Sequence, residues 1–140
     1  MSDIGPRTAL DRYGYVAARI MLAAIFLLTG YDKLVDHKDA AGDIAEIGLP
    51  FPALLAIAAG LVELVCGALL ALGRQTKWAA AGLLMFLLPV TVLMENPLGA
   101  DADFGTLIDF LKNLAIAGGL LMVLLAENAA RAGPREFEAE

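Results

Sequence analysis

The run Pro52–Leu72 constrains this chain more than any other feature. Its 21 residues are apolar except for Glu63, and a helix needs about 20 such residues to cross a bilayer. A charged side chain at the centre of a membrane helix costs about 2.5–3.5 kcal/mol to insert. Glu63 must therefore face protein and not lipid. At helical spacing, Ala56, Gly60, Glu63, Gly67 and Ala71 share one face. Four of the five are small, which lets a neighbouring helix approach closely.

Three more apolar runs accompany this one, at about residues 13–31, 78–94 and 110–126. The chain is 59% hydrophobic, with a mean hydropathy of +0.71. A soluble domain is less apolar, and its apolar residues are not gathered into span-length blocks. The reading is an all-α membrane protein, a four-helix transmembrane bundle over residues 13–126. A polar arm, 1–12, precedes it and a charged tail, 127–140, follows it. The first run is too long for a signal-peptide core and carries Arg19, so it reads as a span and not as a cleaved leader.

The connections have distinct characters. Residues 32–51 are polar and too long for a structureless loop. Within them Asp39 to Gly48 reads as a short surface helix, with Asp39 as N-cap, Gly48 just past its end and Pro50 as a stop. Residues 73–77 form a tight basic turn. Trp78 opens the third run at an interfacial position. Pro89 is expected to kink or end the third helix near residues 85–88.

An even number of spans puts both termini on one side. Arg7, Arg12, Arg74, Lys77, Arg131 and Arg135 lie on that side, against Lys33 and Lys38 in the opposite connections. The positive-inside rule makes that side cytoplasmic. The outer connections then carry nine acidic residues, a solvated face that could also receive a basic partner.

A single cysteine, Cys66, excludes an internal disulfide and a CxxC pair, and a single histidine, His37, excludes a bis-His haem. The sequence has no metal-ligand cluster, nucleophilic triad, phosphate-binding loop or nucleic-acid surface. The chain is therefore expected to hold no cofactor alone. Two polar groups remain. Arg19, Ala23, Phe26, Gly30 and Lys33 form a stripe on the first span, from which Arg19 could extend to pair with Glu63 or return to the interface. That buried pair either fixes helix register or forms a site for a proton, a quinone headgroup or a small substrate. The second group is an outer polar mouth made of Lys33, Glu95, Asp109, Lys112 and Asn113, with Asn96 beside it. There Lys112 either snorkels or pairs with Glu95 or Asp109, or joins Lys33 to receive an anion or a quinone carbonyl.

The ordered pattern resembles the DoxX family of small bacterial membrane proteins. It is carried by Arg19, then Phe26-Leu-Leu-Thr-Gly30-Tyr-Asp-Lys33-Leu34 and Gly48-Leu-Pro50. It continues through Glu63, Gly67, Gly73-Arg74, Lys112-Asn113-Leu and Gly118-Gly119-Leu-Leu. The resemblance implies a four-span protein of the bacterial inner membrane. It also implies a role as membrane anchor or quinone-facing subunit of a quinone-linked oxidoreductase. Electrons would then need a bound quinone or a redox-enzyme partner, because this chain lacks a redox centre. The alternatives are a transporter or binding protein using Glu63, and an accessory subunit or homo-oligomer in which buried charge only sets packing.

Overall fold

A computed structural model describes residues 8–133. Among them there are five helices and no strand: α1 Ala9–Val35, α2 Lys38–Glu46, α3 Pro52–Leu72, α4 Thr76–Met94 and α5 Phe104–Ala132. All except α2 are long and apolar enough to cross a membrane, and the chain is a multi-pass membrane protein. Residues 1–7 of the predicted arm and 134–140 of the tail lie outside the described residues.

Caps, more than hydropathy, set where these helices end. α1 starts at Ala9 because Thr8 and Asp11 form a capping box, and it continues past residue 31 to Val35. α5 starts six residues before its apolar run because Asp103 and Thr106 form a second box. Hydropathy marks only the stretch that suits hydrocarbon, so it clips both helices. α3 coincides with its apolar run. Gly73 closes it with φ 71°, and the N–H groups of Gly73 and Arg74 bond back to the carbonyls of Leu70 and Leu69.

Two expectations about local structure change. α2 begins after His37 and not after Asp39, although Gly48 does follow its end with φ 77°. Of the two outcomes expected at Pro89, a kink or an end, the end does not occur: α4 continues through Pro89 to Met94. A proline removes one backbone hydrogen bond, and membrane helices tolerate that loss when neighbouring groups satisfy the freed carbonyl.

The chain divides into two compact units. One runs to Gln75 and holds α1, α2 and α3; the other starts at Thr76 and holds α4 and α5. In the first, α3 packs against both α1 and α2. Its buried positions are Ala23, Phe26 and Gly30 on α1, and Ala56, Gly60, Glu63, Gly67 and Leu70 on α3. These are the two stripes read from spacing, except that Leu70 is buried where Ala71 was expected. In the second, Ala79, Ala80, Leu83, Leu87 and Thr91 on α4 are buried, with Ala117, Leu120 and Val123 on α5.

Alanines and glycines point inward together with Phe26 and a few leucines, while Met21, Leu28, Leu54, Val65, Met85 and Met122 point outward. A large apolar surface on every span suits lipid, where close backbone approach drives helix association better than side-chain burial does.

Candidate functional site

The crossing of α1 and α3 builds the site. A Cβ on Gly30 would come 2.8 Å from the Leu64 nitrogen and 2.9 Å from the Gly60 carbonyl oxygen. A Cβ on Gly60 would come 3.1 Å from the Gly30 oxygen. The two backbones therefore touch through paired glycines. Two turns further along α3, Gly67 lies against Phe26 and Leu27. This antiparallel register brings the C-terminal turns of α1 over the middle of α3, where Glu63 points inward.

Glu63 is 6% exposed, and its carboxylate is fully engaged. The Lys33 ammonium donates to Oε2 at 3.0 Å and to Oε1 at 3.2 Å. The Thr29 hydroxyl lies 3.0 Å from Oε2 and 2.9 Å from the Ile25 carbonyl, so its single proton serves either acceptor. Lys33 is not sealed in, because a quarter of its side chain is accessible. Two of its three N–H groups face the carboxylate, and the third remains for another acceptor.

Glu63 therefore pairs with Lys33, and the expected Arg19–Glu63 pair does not form. The Arg19 guanidinium lies against Gly73, beyond the end of α3. Ten residues of helix separate Gly73 from Glu63, about 15 Å at 1.5 Å per residue, which is farther than an arginine side chain reaches. Arg19 instead stacks near the Tyr15 ring, with its Cζ 5.3 Å from the ring centre.

The predicted outer mouth divides between the units. Lys33 belongs to the first, where its ammonium is bound to Glu63. Glu95, Asp109, Lys112 and Asn113 belong to the second. There Lys112 forms an ion pair with Asp109 one turn back on α5, and the Glu95 charge also acts on it. Lys112 is largely exposed, and an exposed pair of this kind contributes little. Asn113 is half-buried on the same helix.

Sequence reasoning missed two features. Lys33 stood on the correct stripe, but pairing it with Glu63 requires the register of the Gly30–Gly60 crossing. Thr29 gave no periodic signal, because it is half-buried beside the stripe and not on it. Cys66, also half-buried, makes no polar contact in the site. Among the described residues no group of His, Cys, Asp and Glu could hold a metal ion.

The motifs that form this crossing lie inside a family match. The DoxX family model covers residues 14–96, which include Thr29, Lys33, Glu63 and both crossing glycines. The chain belongs to the DoxX family. Inner membrane protein YphA of Escherichia coli (strain K12) is 30% identical over 110 residues, covering 77% of this chain and 79% of that protein. The uncharacterized membrane protein Rv3486 of Mycobacterium tuberculosis (strain ATCC 25618 / H37Rv) is 29% identical over 117 residues, covering 78% and 72%. No solved structure matches this DoxX protein.

Proposed function

We propose that this DoxX protein is an inner-membrane subunit that presents a quinone-facing polar site to a redox partner. The inner-membrane placement follows the name of the Escherichia coli relative, and cytoplasmic termini follow the distribution of lysine and arginine. The observation that carries the reading is the Lys33–Glu63 pair. It lies between two lipid-exposed helices, and its ammonium is partly accessible with a donor to spare. A quinone headgroup is an uncharged, lipid-soluble acceptor that reaches such a depth without desolvating a charge. The Glu63 carboxylate fixes the ammonium, and the ammonium donates to the carbonyl. Electrons would come from the partner's cofactor, since the polar groups of the site are one amine, one carboxylate and one hydroxyl, none of them a redox centre.

The test is reconstitution of the protein in nanodiscs with a defined quinone. Bound quinone is extracted and weighed, and partners are captured in parallel from native membranes in mild detergent. The expected result is retained quinone that Lys33→Met abolishes, together with a stoichiometric redox enzyme. Wild-type protein recovered with phospholipid alone sinks the reading.

A second reading is favoured by the saturation of Glu63, whose two oxygens both accept bonds from within the protein. There the pair is a register pin and nothing binds to it. A Lys33→Met/Glu63→Met variant that keeps the partner and all measurable function would select that reading.

A further inference from the structure

A second cationic centre lies at the opposite end of the α1–α3 pair, and neither the quinone-facing reading nor the Glu63 site uses it. Arg19 places a cationic guanidinium inside a membrane-spanning helix. No carboxylate among the described residues pairs with it, and its Nε is buried without a hydrogen-bond partner. A guanidinium held in this way needs an anion.

Its depth says which anion. α3 has 21 residues, about 31 Å at 1.5 Å per residue, which matches the roughly 30 Å of hydrocarbon in a bilayer. Gly73, just past its end, therefore marks the hydrocarbon boundary. The Arg19 guanidinium lies against Gly73, with its Cζ 2.8 Å from where a Cβ would stand. It is thus at the inner edge of the headgroup region, from which an arginine reaches lipid phosphates. The site is also shaped. The positive φ of Gly73 and its missing side chain leave the space the guanidinium fills. Tyr15 backs the guanidinium from below. Arg74, next in the chain and exposed, adds a second guanidinium at the same level. Arg12 lies two turns down the face of α1 that carries Arg19. The adjacent acid, Asp11, serves the helix cap at Thr8.

We infer that Arg19, with Arg74, binds the phosphate of an anionic phospholipid at this end of the α1–α3 pair. The planar fork of Arg19 matches two phosphate oxygens, and Arg74 offsets the remaining charge. A zwitterionic lipid carries the same phosphate but brings its own cation, which the two arginines repel.

The test uses the full-length protein in nanodiscs of phosphatidylcholine containing a minority of phosphatidylglycerol. The protein is released into mild detergent and weighed intact by native mass spectrometry. Wild type should retain phosphatidylglycerol well beyond its share. Arg19→Gln should reduce that preference roughly fivefold, and Arg19→Lys, which keeps the charge but not the fork, should fall between. Lys38→Gln, in the connection at the far end of α1, should change nothing. Equal retention of both lipids by wild type overturns the inference, as does an Arg19→Gln protein with undiminished preference. Displacement of the lipid by inorganic phosphate also overturns it, by identifying a soluble-anion site. If Arg19→Gln does not fold, Arg74→Gln on the exposed turn provides the same readout, and an unchanged preference there is decisive against the site.

Discussion

Removing one member of the Lys33–Glu63 pair leaves the other charged and surrounded by helix. Breaking a fully buried pair costs about 3–5 kcal/mol. Because Lys33 keeps a quarter of its side chain accessible, Glu63→Gln or Lys33→Met should cost less, about 2–3 kcal/mol. The double variant Lys33→Met/Glu63→Met should cost clearly less than the two singles combined. Thermal unfolding in detergent measures this cycle, and additive single effects would mean the two charges do not interact. Thr29→Val removes only a shared hydroxyl bond, and about 0.6–1.7 kcal/mol is expected from membrane hydrogen bonds of this kind.

Within the helices, glycines differ by what surrounds them. Gly30 lies against backbone atoms of α3, which cannot move aside as a flexible side chain can. Gly30→Ala should therefore push α1 and α3 apart, costing about 1–3 kcal/mol and loosening the Lys33–Glu63 pair as well. Gly118 on α5 has nothing within 4 Å of its would-be Cβ, so Gly118→Ala should leave stability unchanged or raise it slightly. The contrast is read in one set of melting curves, and equal effects at both positions would contradict the crossing. At the start of α5, hydrogen bonds from Thr106, chiefly its backbone N–H, hold the Asp103 carboxyl below its ordinary range. Its folded-state value is depressed, so its contribution is complete above the ordinary carboxylate value and is lost as pH falls through the folded one. Amide exchange at Thr106 should accelerate as pH is lowered below about 4, once the intrinsic pH dependence of exchange is removed. Asp103→Ala should abolish that acceleration.

For the molecule as a whole, the arginine and lysine distribution predicts that the turn at Gln75 faces the cytoplasm. On a Cys66→Ala background, a cysteine at position 75 should react with an impermeant reagent only after the cells are opened. Labelling of intact cells would invert the topology. The α3 span and the end of the short helix in the first long connection were legible because strong local signals bound them: Pro52 and Gly73 around α3, and Gly48 and Pro50 after α2. The ends of α1 and α5 were not legible from hydropathy, since Thr8–Asp11 and Asp103–Thr106 continue those helices beyond the hydrocarbon-compatible stretch.

The sequence by itself determined a four-span helical membrane protein and the faces that α1 and α3 bury. Lipid imposes span length, and a buried carboxylate among small residues can face only protein. Tertiary structure decided which cation Glu63 meets. Spacing along one helix places Arg19 and Lys33 on the same stripe and cannot choose between them. The Gly30–Gly60 contact fixes how far α1 slides along α3. That register brings Lys33 and Thr29 to the carboxylate and leaves Arg19 against Gly73, beyond the end of α3.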